Sequence, residues 1–185
     1  MTEPFTVLFV CTANQCRSAM AEALAADELT GFPGAPLRFR SAGTNALAGS
    51  PATEGTVLTM EERGIDLLSH HARELSRGVL AEADLVLVMA EEHRRVVQAW
   101  ERSAGRRTFT LMSFSRAIAG RGAESPEVLV DLANEYGTTE PDDDVIDPVG
   151  RGKAAHERCA DQLEALIRPL VRVLAASAGH DASAL

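Results

Sequence analysis

The chain has 185 residues, room for one ordinary domain and not for a second full one. Its 18 basic and 27 acidic residues leave a net charge of −9, which excludes the broad basic footprint of a nucleic-acid binder but not one small basic spot focusing a single phosphate. Aromatic residues make up only 4%, so a site with aromatic walls has few candidates, and the three cysteines are too few and odd in number for a secreted disulfide framework.

The opening "MTEPFTVLFVC" has no basic start and no long apolar run before a small-residue cleavage site, and no later stretch approaches the roughly eighteen apolar residues of a membrane span. We expect a cytoplasmic protein that is neither exported nor anchored. Phe5 to Val10 is a continuous apolar run of β-formers bounded by Pro4, which suits a strand buried on both faces. A helix is expected from Arg17 to about Glu28, and "LRFRSAG" at Leu37 to Gly43 alternates as a second strand nearer an edge. Ser50 before Pro51 predicts a helix start with Ser as cap, running to Glu62–Gly64.

Ala83 to Ala90 reads as a buried strand, Glu91 to about Gly105 as a helix and Arg107 to Met112 as a fourth strand. From Phe114 to Asp147 the pattern loosens around a short helix at Pro126 to Tyr136 and the acidic run "EPDDDVIDPVG". A long final helix carries Cys159, Leu163, Leu166, Ile167, Leu170 and Leu174 on one face, although Pro169 inside it should kink or split it. The last residues are expected to fray. Strand and helix alternate throughout, which predicts an α/β fold with a parallel sheet covered by helices on both faces.

The segment "FVCTANQCRSAMAEAL" holds the chemistry. A loop between a strand's carboxyl end and a helix's amino end turns several backbone N–H groups and the positive end of the helix dipole toward one point, a nest for an oxyanion. A cysteine at its mouth sits in positive potential that favours the thiolate. Arg17 supplies a planar fork for two phosphoryl oxygens, and Ser18 a hydrogen bond to sulfur that helps it leave a phosphocysteine. A lone strand-end cysteine is more often a small core residue, but Cys11 with Arg17 and Ser18 at this spacing, between a strand and a helix, points to nucleophilic catalysis.

"VCTANQCRS" followed by "MAEAL", with "RSAGT" at Arg40 to Thr44, "SHHAREL" at Ser69 to Leu75, "ADLVLVM" and "DPVG", resembles the low-molecular-weight protein-tyrosine-phosphatase family from Phe5 to about Leu174. The resemblance implies a four-stranded parallel sheet, a phosphate loop of Cys11, Thr12, Ala13, Asn14, Gln15, Cys16, Arg17 and Ser18, and no metal or organic cofactor. It makes Asp147 the general acid, protonating the leaving oxygen or nitrogen and then assisting water's attack on phosphocysteine, with Pro148 stiffening its loop. Asp142, Asp143 and Asp144 are expected to be a solvated acidic turn. It also implies a supporting network in which Asn14 bonds with Ser18, Ser41 and His70, and a reversible disulfide between Cys16 and Cys11. His71 is a plain neighbour, Cys159 a core residue, and His93, His156 and His180 lack metal-ligand spacing.

Three departures bear on substrate. Ala13 stands where the family usually has Gly; Gln15 stands where tyrosine-directed members carry an apolar residue and the protein-arginine phosphatase branch a Thr; Val149 stands where many have an aromatic residue after Asp-Pro. The domain is expected to span 1–176, with an insertion at 115–144 and a flexible tail at 177–185. The expected activity is hydrolysis of phosphotyrosine in a phosphorylated protein partner, with phosphoarginine the alternative, and neither nucleic acid nor membrane as partner. The oligomeric state is not readable. An arsenate reductase would need cysteines in or just after the third strand, and Ala81 to Trp100 contains none. A binding module without turnover would need neither Cys11 nor Asp147.

Overall fold

A computed structural model describes residues 3–180. Four strands, β1 (Phe5–Cys11), β2 (Leu37–Gly43), β3 (Leu85–Val88) and β4 (Thr108–Thr110), form one sheet in the order β2-β1-β3-β4. Every pairing is parallel, and the register sets Cys11 beside Gly43 and Val10 beside Val88. β1 is buried along its whole length because its two faces feed two cores. Val7, Phe9 and Cys11 point into one, with Leu85, Leu87 and Met89, whereas Leu8 and Val10 point into the other, with Val86 and Val88. That double burial is why the strand reads as an unbroken apolar run.

The larger core is covered by α1 (Arg17–Leu29), α2 (Glu54–Glu61), α5 (Leu111–Ile118), α6 (Pro126–Tyr136) and α7 (Lys153–His180). The smaller is covered by α3 (Arg77–Ala81), α4 (Glu91–Trp100) and a 3-10 turn at Arg102–Arg107. β2 lies at the sheet edge, as its alternating exposure requires.

Several elements differ from the sequence reading. The helix expected at Ser50–Pro51 starts at Glu54 with Thr53 as its cap. Ser50, Pro51 and Thr53 spend their backbone groups elsewhere: the Ser50 carbonyl accepts from Ala72 N, the Pro51 carbonyl from Gln15 Nε2, and Thr53 N donates to the Gln15 carbonyl. The fourth strand is only three residues long, because Thr110 caps α5, which the reading missed; Ser113 N donates to its hydroxyl at 3.1 Å. The helix after β3 ends at Trp100, and the 3-10 turn takes over the stretch to Arg107.

α7 passes through Pro169 without a break. Pro169 lies on the exposed side, where water can serve the carbonyl its ring frees, while Leu163, Ile167, Leu170, Val171 and Leu174 stay buried opposite. The helix also runs beyond the tail boundary expected at 177, with Ser177 and Ala178 buried. Residues 181–185 of that tail lie outside the described ones. No helix among the described residues is long and apolar enough to cross a membrane.

Candidate active site

β1 ends at Cys11 in the middle of the sheet, and the chain turns through five residues into α1 at Arg17. The turn requires one left-handed residue, and Asn14 (φ 56°) supplies it as the only described non-glycine residue with positive φ. Ala13 in the usual glycine position therefore bears no left-handed strain. Gly43 answers a different need: a Cβ there would stand 2.5 Å from the Thr12 carbonyl oxygen, so β2 can pass the loop only as glycine. Thr44 N and Asn45 N then donate to the Cys11 and Thr12 carbonyls at 2.9 Å.

Asn14 is fully buried and uses all its polar atoms. Its Nδ2 donates to Ser18 Oγ and Ser41 Oγ, both at 2.8 Å, while its Oδ1 accepts from Arg73 N at 2.8 Å. Its carbonyl accepts from His70 Nε2 at 2.6 Å, and its N–H donates to Cys11 Sγ at 3.3 Å. Ser41 passes its own hydrogen to Glu22 Oε2 at 2.5 Å. Ser18 Oγ, already accepting from Asn14, lies 3.0 Å from Cys11 Sγ and 3.4 Å from the Ala42 carbonyl, so its hydrogen has the sulfur as the nearer of two acceptors.

Arg17 is buried and its Nη2 donates to Asp147 Oδ2 at 2.7 Å, across 130 residues of chain. Asp147 is about half exposed and its other oxygen accepts from Val149 N at 3.2 Å. The structure thus brings Cys11, Asn14, Arg17, Ser18, Ser41, His70 and Asp147 together. Gln15 is half-buried with its amide on the Pro51 carbonyl, and Val149 is 59% exposed. None of the chain's eight aromatic residues lies in 12–16, 44–53 or 142–149. The one tyrosine, Tyr136, carries Arg121 over its ring instead.

Cys16 meets a pair of hydroxyls, Thr56 Oγ1 at 3.1 Å and Thr53 Oγ1 at 3.2 Å. Burial pushes its thiol up, against the two hydroxyls that pull it down. All three cysteines are free thiols, and burial pushes Cys159, in the core, up to about 12. His93 was set aside in the sequence, yet its Nε2 shares a 2.9 Å hydrogen bond with Thr12 Oγ1 and its Nδ1 is buried without a partner. Burial, reinforced by the Arg17 charge, holds this imidazole down at about 4. No spacing signal could have found it, since it sits in an ordinary helical "EEHRR".

The acidic turn also departs from expectation. Only Asp142 is a plain solvated carboxylate; Asp143 is buried and receives both Arg116 Nη1 and Nη2, at 2.7 and 2.9 Å, and Asp144 Oδ1 accepts from Glu91 N at the start of α4. Among the described residues, no group of three or more His, Cys, Asp or Glu is placed to hold a metal ion. A cavity of about 980 Å³ opens at the opposite end of the sheet among Phe5, Phe32, Arg38, Asp84 and Ala178.

The sequence profile described as "low molecular weight phosphotyrosine protein phosphatase" matches residues 6–129. The chain is 42% identical over 94 residues to the probable low molecular weight protein-tyrosine-phosphatase EpsP of Ralstonia solanacearum, 51% of this chain and 61% of that protein, so this match spans less than two thirds of that relative. It is 30% identical to the protein-arginine-phosphatase of Bacillus subtilis over 168 residues, 91% of this chain and 95% of the relative. The solved low molecular weight protein tyrosine phosphatase of T. tengcongensis superposes with a TM-score of 0.72 at 32% identity, covering 91% of this chain and 98% of that one. A central strand ending in Cys11, a loop turned by Asn14 into Arg17, and these matches converge: the chain belongs to the low molecular weight phosphotyrosine protein phosphatase family.

Proposed function

We propose that the protein is a cysteine-dependent phosphoprotein phosphatase in which Cys11 is the nucleophile, Arg17 the phosphoryl clamp and Asp147 the general acid. The observation that carries this is the convergence of Ser18 Oγ at 3.0 Å and Asn14 N at 3.3 Å on one sulfur, in a loop whose far end holds a buried Arg17 bound to Asp147 at 2.7 Å. A structural core cysteine needs none of these. The phosphoryl oxygens compete with Asp147 for the same guanidinium, so substrate binding frees the carboxyl group to face the leaving atom.

In the first step the Cys11 thiolate attacks phosphorus in line. The P–S bond forms as the P–O bond to the tyrosine ring breaks, and Asp147 gives its proton to the departing oxygen. In the second, Asp147 takes a proton from water, the water oxygen bonds to phosphorus, and the P–S bond breaks to release phosphate. The Ser18 hydroxyl and Asn14 N–H stabilise the returning thiolate. No metal or organic cofactor takes part. Thr12, Ala13, Gln15 and Cys16 complete the cradle, and Ser41 and His70 hold its backbone through Asn14.

Phosphotyrosine is the first substrate reading. The second, phosphoarginine, is favoured by the polar Gln15, by the absence of an aromatic wall around the mouth and by the near full-length likeness to an arginine phosphatase. There the leaving atom is a guanidino nitrogen, protonated by the same Asp147. The deciding experiment measures kcat/KM on matched phosphotyrosine and phosphoarginine peptides with Cys11→Ser as blank. A preference of about tenfold, roughly 1.4 kcal/mol, settles the leaving group. Wild type indistinguishable from the blank on both would overturn the enzyme reading.

Cys16 is the resolving thiol of this reading. A peroxide oxidises Cys11 to the sulfenic acid, and condensation with the Cys16 thiol forms the disulfide and releases water. Mass spectrometry after peroxide treatment should find the 11–16 bridge; Cys11 sulfonic acid without a bridge would count against it.

A further inference from the structure

Three consecutive residues ahead of Asp147 are each tied to a different part of the fold. Val145 is buried, and its N–H donates to the Met89 carbonyl at 2.8 Å, at the end of β3. Asp144 accepts from Glu91 N at 2.8 Å. Asp143, only 2% exposed, receives the fork of Arg116 from α5 and, at 2.7 Å, the N–H of Glu140. Arg116 Nη2 also donates to the Thr138 carbonyl at 2.7 Å, and its Nε lies 3.4 Å from Glu140 Oε1. One guanidinium therefore gathers 138 and 140, out of an exposed stretch running from Asn134 to Asp142, onto the buried Asp143 that follows it.

α5 can serve as a fixed post because its other face is in the core. Leu111, Phe114, Ala117 and Ile118 are buried there, and the Phe114 ring packs on Phe109 of β4 at 5.4 Å. The Asp143 carboxylate cannot drift from the post, since a buried charge without its partner is strongly unfavourable. The bidentate geometry fixes direction as well as distance, which a lysine's point charge would not. Four residues later the chain must deliver the Asp147 carboxyl to the Arg17–Cys11 mouth.

We propose that Arg116 is a positioning residue for the acid: its grip on Asp143 sets where Asp147 stands, and the 115–144 segment is part of the catalytic apparatus rather than an idle insertion. The proposal rests on the reading of Asp147 as general acid. A carboxyl displaced by about 1 Å loses in-line proton delivery, and such misplacement costs up to about 100-fold in rate. Only substrates whose leaving group needs the proton feel that loss.

The test compares kcat/KM on phenyl phosphate, a poor leaving group, with 2,4-dinitrophenyl phosphate, a good one. It uses wild type, Arg116→Met, Arg116→Lys, the double variant Arg116→Met/Asp143→Leu, and Asp147→Asn as reference. Arg116→Met and the double variant should lose about tenfold or more on phenyl phosphate and no more than about twofold on the dinitrophenyl ester, with KM little changed; Arg116→Lys should recover part of the loss. Should Arg116→Met fail to fold, Arg116→Lys and the double variant, which removes both charges from the buried pair, carry the same comparison. Equal losses on both esters, or none on either from folded variants, would overturn the proposal while Asp147→Asn still discriminates. If Asp147→Asn itself shows no leaving-group dependence, the acid assignment falls and the proposal with it.

Discussion

The cradle and the acid loop solve one task with opposite constructions. Residues 11–18 are contiguous, buried for the most part, and turned by Asn14, whose side chain reaches Ser18, Ser41 and Arg73 N at once. Residues 143–149 alternate between buried and exposed positions and hang from tethers to α5, α4 and β3. A cradle must meet the same tetrahedral group in every turnover, so over-determination serves it. On the proposed mechanism the acid must leave Arg17 when substrate arrives, which asks for an anchored base and a free tip; Asp147 keeps about half of its side chain exposed beyond the pinned residues.

The contrast is tested most severely at Cys11. Cys11→Ser should lower kcat by about 10⁴-fold or more, over 5 kcal/mol of transition-state stabilisation, while inhibition by inorganic phosphate changes little because the cradle persists. An equal loss of phosphate affinity would mean that the cradle is not preformed. Asp147→Asn should cost about 10²- to 10⁴-fold on phosphotyrosine peptide, abolish the acid-dependent limb of the pH–rate profile and lower the melting temperature by less than Asn14→Ala does, since the amide oxygen still accepts from the buried Arg17.

Asn14→Ala should act in the opposite sense, through stability. It strands partners at Ser18, Ser41 and Arg73 N and forces a left-handed φ on alanine, together about 3 kcal/mol. Thermal unfolding should fall by about 6–12 °C. A shift below about 2 °C would show that the loop is less determined than its bonds imply.

His93 gives the cradle a pH dependence. Its folded-state pKa is depressed from 6.5 to about 4, so the unfolded chain binds the extra proton between these values. Stability is therefore fully present above about pH 6.5 and is lost as pH falls toward 4, by roughly 3 kcal/mol at most. Urea unfolding from pH 7 to 4 should show that slope, and His93→Gln should flatten it. The smallest effect belongs to the rim: Val149→Tyr should raise kcat/KM on phosphotyrosine peptide by about two- to tenfold through ring contact, worth about 0.5–1.5 kcal/mol, and leave phosphoarginine peptide unchanged.

Much of the cradle was legible because its signals are local. A doubly buried strand writes a continuous apolar run, and the residues proposed as nucleophile, clamp and helper, Cys11, Arg17 and Ser18, fall within eight consecutive positions. The helix at Pro126–Tyr136 was legible for the same reason, from its cap and its Pro. The acid loop was legible only as Asp-Pro in a familiar order. Its tether at Asp143 looked like one more solvated carboxylate, because nothing in "EPDDDVIDP" says which aspartate will meet an arginine 27 residues back.

By itself, then, the sequence determined the alternating elements, the parallel sheet and the loop that ends β1, all of which follow from periodicities and caps within a few turns of chain. Tertiary structure alone decided that His93 would hold Thr12, that Pro51 and Thr53 would bond Gln15 of the loop so that the helix starts after Thr53 and not at Ser50, and that Arg116 would grip Asp143. The physical reason is the same in each case. A buried polar group must find a partner, but packing chooses which one among residues that lie tens of positions away and carry no mark of the pairing.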